Sequence, residues 1–154
     1  MIQRPQTLFL LASAVLVIMT FFFPFWETTG PEIFKLNVIQ FFKIENGQRE
    51  IIRTFYHILP MGIIAAGVTF FTIFKYNNRP LQLKLCSISS LLIGAYIMVI
   101  VFWLIPDAQK AIGALPSRHH WSFYLPAGSV LCNFVAKLLI RRDENLVKSV
   151  DRLR

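Results

Sequence analysis

Four long runs of apolar residues, separated by polar or charged stretches, form the pattern of this chain. The runs lie at about residues 7–26, 55–74, 85–105 and 121–140. An α-helix needs roughly 20 apolar residues to cross the hydrocarbon core of a bilayer. The pattern therefore predicts an all-α membrane protein, a bundle of four transmembrane helices that forms a single domain over residues 1–154.

The fourth run is the most polar of the four, because it contains Ser129, Asn133 and Lys137. An interfacial or re-entrant segment is the alternative for this run. Lys137 lies one turn from the end of the run, where its ammonium group can reach the membrane surface. Asn133, among small residues, is typical of a helix packed against other helices rather than surrounded by lipid. We therefore interpret the run as a span.

The segment between the first and second runs has a pattern of its own. Asn46-Gly47 separates residues 33–44 from residues 50–55, and both stretches are rich in β-branched and aromatic residues. Asn-Gly is the strongest short sequence signal for a tight hairpin turn. We predict a small outer β-hairpin at about residues 33–55, between helices 1 and 2.

Basic residues are divided unequally between the two ends of the predicted helices. One side receives ten basic and three acidic residues, a net charge of +7, and the other side has a net charge of +1. Cytoplasmic loops of membrane proteins carry an excess of Lys and Arg. The division predicts a multi-pass protein with both termini in the cytoplasm. Trp26, Trp103 and Trp121 all fall at the outer ends of the runs, as expected of an aromatic belt.

Composition agrees with a membrane protein and argues against other partners. Apolar residues make up 55% of the 154, and charged residues only 16%, against about a quarter in soluble domains. The excess apolar surface makes the lipid bilayer the expected partner. The net charge of +8 does not indicate nucleic acid, because the basic residues lie between and beyond the apolar runs. Cys86 and Cys132 both lie inside apolar runs, and we expect them to be unpaired.

Candidate chemistry in the sequence is sparse. The first three runs contain no Asp, Glu, Lys or Arg, whereas proton-coupled transporters carry such residues inside the membrane. His57, His119 and His120 are the only candidate ligands for a haem or metal, all expected at the outer interface. Supporting carboxylates for such a site are not evident. We expect no enzyme activity, no cofactor and no metal.

The last stretch of the chain, residues 141–154, is predicted to continue the fourth helix into the cytoplasm. Leu146, Val147, Val150 and Leu153 recur at helical spacing, which gives one apolar face. The stretch is either a solvated extension or an amphipathic element that contacts anionic lipid or a partner protein.

Three motifs resemble a known family over the whole length of the chain. They are Met1-Ile2-Gln3-Arg4, then Asn78-Arg79-Pro80-Leu81-Gln82-Leu83-Lys84, and the ending from Ile140-Arg141-Arg142-Asp143-Glu144 to Asp151-Arg152-Leu153-Arg154. They are similar to four-helix inner-membrane proteins of Bacteroidota that form a domain-of-unknown-function family. The resemblance implies an address in the bacterial inner membrane and no activity. It also implies a docking surface on the cytoplasmic face, where all three motifs lie.

Our leading hypothesis is a non-catalytic accessory or scaffold subunit whose basic cytoplasmic face docks a membrane-protein partner, a second copy or anionic lipid. The candidate docking residues are Arg4, Arg79, Lys84, Arg141, Arg142, Lys148, Arg152 and Arg154. The first alternative is a small transporter or channel with a polar path through Ser129 and Asn133. The second is an enzyme or redox subunit at the outer face that uses His57 with His119 or His120 to hold a haem or metal.

Overall fold

The computed structural model describes residues 5–29, 32–45, 48–113 and 115–151, and for residues 148–151 it describes only the backbone. Helices occupy all four apolar runs. In chain order they are α1 (Pro5–Met19), α2 (Ile58–Phe74), α3 (Arg79–Val99), α4 (Ile105–Ile112) and α5 (Leu125–Asp151). A π-helical segment (Ile100–Leu104) joins α3 to α4 as one continuous helix, and a 3-10 turn (Trp121–Tyr124) leads into α5.

A five-stranded antiparallel sheet accompanies the helices. Its strands are β1 (Trp26–Thr28), β2 (Ile33–Leu36), β3 (Gln40–Glu45), β4 (Gln48–Thr54) and β5 (Ser117–His119). Their order across the sheet is β4-β3-β2-β1-β5. The first four strands therefore form a meander, and β5 joins β1 from a distant part of the chain.

The predicted fold class was wrong, because the protein is not an all-α bundle of four spans with only a small hairpin. Within the described ranges, two helical segments are long and apolar enough to cross a membrane, Arg79–Ile112 and Trp121–Val147. The other two apolar helices are shorter, with 15 residues in α1 and 17 in α2. At 1.5 Å per residue they are only about 22 and 26 Å long.

The first apolar run is shorter as a helix than predicted because its end turns away into the sheet. The Thr20 hydroxyl donates a hydrogen bond of 2.6 Å to the carbonyl of Val17, and the backbone turns through residues 20–22. Pro24 follows, and Trp26 opens β1. The sequence pattern predicted that Trp26 lies at the end of a helix. In the structure its side chain packs in the core beneath the sheet.

The predicted hairpin is present as one part of the larger sheet. β3 and β4 pair down to Glu45 opposite Gln48, and the turn residues 46–47 lie outside the described part of the chain. A second turn separates β2 from β3, where the side-chain oxygen of Asn37 accepts the N–H groups of Ile39 and Gln40 at 3.0 and 2.6 Å. Such Asx turns are a common way for Asn to reverse the chain. The stretch 33–44 is therefore two strands rather than one.

The inner face of the sheet covers one end of the helices. Trp26, Leu36 and Phe41 are buried there against Tyr96 and Leu104 of the continuous α3–α4 helix. The helix widens just before this contact because Pro106 has no N–H and its ring would clash with the carbonyl four residues earlier. A π-helical turn relieves that clash, with the N–H of Ile105 donating to the carbonyl of Ile100.

The helices pack as a ring in which α1 contacts α2 and α5, and α3 contacts the same two helices. Far from the sheet, Leu10, Cys86, Ala136 and Ile140 form a buried cluster. The start of α1, the start of α3 and the second half of α5 therefore lie at the same end. We call this the basic end, and the opposite one the sheet end.

Candidate functional site

The basic end gathers six cationic side chains from three parts of the chain. They are Lys75, Arg79, Lys84, Lys137, Arg141 and Arg142. At the sheet end Lys43, Arg53 and Arg118 are each neutralised by a carboxylate. The six cations of the basic end form no ion pair with any carboxylate whose side chain the structure describes. With six cations against Asp143 and Glu144, the described side chains of the basic end carry an excess of positive charge.

Four residues at the contact of α3 and α5 form a surface that we call the basic groove: Lys84, Ser87, Lys137 and Arg141. The Lys137 ammonium donates a hydrogen bond of 2.8 Å to the Ser87 hydroxyl. That hydroxyl donates in turn to the carbonyl of Leu83 at 3.0 Å. Lys84 lies one turn from Ser87, and Arg141 one turn from Lys137, and both are exposed.

The turn between α2 and α3 carries the other part of the basic end. The Lys75 ammonium lies 4.8 Å from the ring centre of Phe71. Asn78 caps α3, since its side-chain oxygen accepts the N–H of Leu81 at 3.1 Å. Arg79 is half-buried, and its Nη1 atom has no hydrogen-bond partner among the described residues.

Helix α5 continues beyond the basic end as a tail. Among the α5 side chains that the structure describes, Ile140 is the last that is fully buried, and the helix then runs on to Asp151, as predicted. Those eleven residues extend about 16 Å. Leu146 and Val147 on the tail are 59% and 48% exposed, beside the exposed Arg141 and Arg142.

The structure brings together those predicted docking residues that it describes. Arg79, Lys84, Arg141 and Arg142 all lie at the basic end. Arg4, Arg152, Arg154 and the side chain of Lys148 lie outside the described residues. Lys137 and Ser87 were not among the predicted docking residues. The one-turn spacing of Lys84 with Ser87, and of Lys137 with Arg141, was the signal for them, but its use required the register of α3 against α5.

The structure places His57 apart from His119 and His120. His57 follows β4 at one edge of the sheet and contacts the rings of Phe55 and Trp103. His119 belongs to β5 at the other edge and stacks on Phe123 at 4.5 Å. In the part of the chain that the structure describes, no three His, Cys, Asp or Glu side chains are grouped to hold a metal ion. The histidines proposed to hold a haem or metal in a redox subunit therefore lie at opposite edges of the sheet.

Ser129 and Asn133, the candidates for a polar path, are fully buried and tie helices together. The hydroxyls of Ser13 and Ser129 are 2.8 Å apart. The Asn133 amide donates to the carbonyl of Cys86 and to the Ser90 hydroxyl, both at 3.0 Å. Interhelical hydrogen bonds of this kind are a structural use of polar residues in apolar helices.

A regular spacing of buried polar residues accompanies these bonds and was missed in the sequence. Seven residues separate successive members in α1 and the turn after it, in α3, and at the start of α5: Gln6, Ser13 and Thr20; Gln82, Ser89 and Tyr96; Ser122 and Ser129. Thr20 and Tyr96 are hydrogen-bonded at 2.8 Å, and Ser89 bonds Thr69. A seven-residue repeat keeps one face of each helix toward its neighbours. The repeat therefore marked the interior of the bundle.

Charge at the sheet end is paired and partly buried. Glu27 on β1 lies between Lys35 and Arg118, with Arg118 atoms 2.6 and 2.8 Å from its carboxylate. The hydrogen bond from Arg118 lowers the pKa of Glu27, and desolvation opposes that shift. Hydrogen bonds from Lys43 to Glu32 and Glu45 raise the pKa of Lys43. These groups stabilise the sheet and leave little net charge on it.

In the part of the chain that the structure describes, fold and site define an α+β protein in which two helical segments are long and apolar enough to cross a membrane. Six cationic side chains gather at the end away from the sheet. The chain belongs to the family described as Domain of unknown function (DUF4293), which matches residues 2–153. No curated protein matches the chain.

Proposed function

We propose that this chain is a non-catalytic, multi-pass protein of a bacterial inner membrane, an accessory or scaffold subunit that docks a partner protein through the α5 tail. Its helices lie in the lipid layer. The basic end and both termini face the cytoplasm, and the sheet lies on the outer side.

The outward surface of the helices supports the membrane placement. Large apolar side chains on all of the helices in the ring are about half exposed or more, among them Leu8, Ile64, Leu91 and Leu131. A soluble protein rarely exposes so large a continuous apolar surface. Exposed aromatic residues lie where the helices meet the sheet: Phe22, Tyr56, Trp103, Trp121 and Tyr124. Aromatic side chains concentrate at this level in membrane proteins.

The tail is the observation that carries the docking proposal. It continues the axis of α5 for about 16 Å beyond the last buried residue, Ile140. A straight extension of a membrane-crossing helix projects into the cytoplasm and does not lie flat on lipid. It carries exposed Leu146 and Val147 next to Arg141 and Arg142. Exposed apolar side chains on a helix are the groups that the hydrophobic groove of another protein binds.

Photo-crosslinking tests the docking proposal in the full chain. A photo-reactive amino acid at Val147 is expected to give a discrete protein adduct in cells. The matched control is the same probe at Phe134, which is 56% exposed on the apolar surface of the same helix and should react with lipid. Deletion of residues 143–154 should leave insertion intact, because the packed helices end before this stretch, and should abolish copurification of the crosslinked protein.

Substitution of Arg142 by Lys refines the test. Lysine keeps the charge but loses the planar fork that binds a carboxylate through two hydrogen bonds. We expect Arg142→Lys to weaken the Val147 adduct without changing the amount of inserted protein. Equal adducts from Val147 and Phe134, or full retention of the partner after the deletion, would overturn the docking proposal.

A further inference from the structure

We propose that the basic groove binds the phosphate headgroup of an anionic phospholipid. The inference rests on the membrane placement proposed above, but not on the partner of the tail. The groove lies at the contact of α3 with α5, the two helices that supply the membrane-crossing segments. Basic pockets between membrane helices on the cytoplasmic side are known to bind phosphate headgroups.

Lys137 is held in place before any ligand arrives. One of its three N–H groups donates to Ser87, 2.8 Å away, and the other two can donate to a ligand. The Ser87 hydroxyl uses its own proton on the carbonyl of Leu83, so it presents a lone pair to the ammonium group. A cation fixed in this way loses less side-chain entropy on binding than a freely rotating lysine does.

Two further cations flank Lys137 along the groove. Lys84 and Arg141 are exposed, and neither forms an ion pair with a described carboxylate. Asp143 and Glu144 follow on the next turn of α5, toward the tail and away from the apolar layer. The Arg141 guanidinium can bind two phosphate oxygens at once. The three cations of the groove therefore supply positive charge and N–H donors for the oxygen atoms of a phosphodiester, which carries one negative charge.

The surface next to the groove identifies the ligand as a lipid rather than a soluble phosphate. Toward the sheet end, the same two helices expose Ile88, Leu91 and Phe134, each 49% or more. A molecule with its phosphate in the groove would lay its acyl chains along this strip. Cations at one end of an apolar strip are complementary to an amphiphile, since they bind both of its parts.

Lipid titration followed by native mass spectrometry tests this site on the full chain in neutral detergent. We expect phosphatidylglycerol to bind more tightly than phosphatidylcholine. Lys137→Gln should weaken phosphatidylglycerol binding about fivefold, the effect of one cation near an anionic headgroup. The matched control is Lys75→Gln, which removes the same charge from the same end but outside the groove, and should leave that binding nearly unchanged.

A second variant keeps the test valid if Lys137→Gln does not fold. Lys84 is exposed, so Lys84→Gln should fold and lower phosphatidylglycerol binding by a similar factor. Equal losses from Lys75→Gln and Lys137→Gln would overturn the site, because only the total charge would then matter. Equal binding of the two lipids would also overturn it, while leaving the membrane placement and the tail proposal standing. Failure of the chain to insert into bilayers would reject both proposals.

Discussion

Glu27 is the carboxylate on which the sheet depends most at the level of single residues. It is 8% exposed and sits on the second strand from one edge, between cations on both neighbouring strands. A buried carboxylate is stable there only while Arg118 and Lys35 compensate its charge. The hydrogen bond from Arg118 explains why its pKa lies below the ordinary value of 4.5.

The pH dependence of sheet stability follows from this shift. Because the folded pKa of Glu27 is lowered, its stabilisation is fully present above the unfolded pKa and is lost as the pH falls through the folded one. We expect the unfolding midpoint of the wild type to fall on acidification from pH 7 to pH 3, and to fall less in Glu27→Gln. The control is Glu50→Gln, since Glu50 is exposed and joins none of the ion pairs at the sheet. Identical acid dependence in the wild type and Glu27→Gln would refute this role.

Substitution of Arg118 alone tests how much this partner of Glu27 contributes to stability. Arg118→Gln leaves the Glu27 carboxylate with Lys35 at 3.8 Å as its nearest cation. We expect a loss of about 1–3 kcal/mol in the free energy of unfolding at pH 7, the usual cost of an uncompensated buried polar group. The double variant Glu27→Gln with Arg118→Gln should recover part of that loss, because no buried charge is left.

At the scale of secondary-structure elements, the sequence predicted every long helix and missed most of the sheet. Helices show in a local window as long apolar runs. Strands β1 and β5 have three residues each, too few to show the two-residue period of a strand. The Trp26 end of β1 extends an apolar run and was assigned to a helix for that reason. Only the hairpin, with its Asn-Gly turn, carried a local signal.

The candidate site was predictable in part for the same reason. Arg79, Lys84, Arg141 and Arg142 were identified because positive charge outside an apolar run is visible without a fold. The bond between Lys137 and Ser87 joins residues 50 positions apart. The bond depends on which residues of α3 lie beside which residues of α5. No local pattern in the sequence shows that alignment.

The pairing of β1 with β5 joins the two neighbouring strands that are farthest apart in the sequence. An engineered disulfide can test this pairing. Thr28 and Ser117 are direct cross-strand partners, whose Cα atoms are about 4.5–5.5 Å apart in antiparallel sheets. We expect Thr28→Cys with Ser117→Cys to oxidise to an intramolecular disulfide, since that spacing suits the bond. The control pair, Gln48→Cys with Ser117→Cys, spans the two edges of the sheet and should stay reduced. A bridge in the control pair but not in the test pair would reject the strand order.

At the scale of the whole molecule, the proposal that its two ends lie on opposite sides of a membrane is open to a direct test. Gln48 on β4 and Asn145 on the tail are both exposed. We expect a membrane-impermeant thiol reagent to label Gln48→Cys in spheroplasts, and Asn145→Cys only after the membrane is opened. The unmodified chain is the background control, because Cys86 is buried and Cys132 half-buried. Labelling of Asn145→Cys in intact spheroplasts would reverse the orientation.

Strand β5 is synthesised well after the other four strands, and this delay has a consequence for the nascent chain. Strands β1 to β4 leave the ribosome as one block, but β5 begins at Ser117, after two further helical segments. At about 5–20 residues per second, residues 55–116 take on the order of 3–12 s to be made. During that time one edge of β1 has no partner strand. Such an unpaired edge promotes aggregation with other chains, against which chaperones protect. A chain released before residue 117 keeps that edge open, so the sheet itself distinguishes a finished molecule from a truncated one.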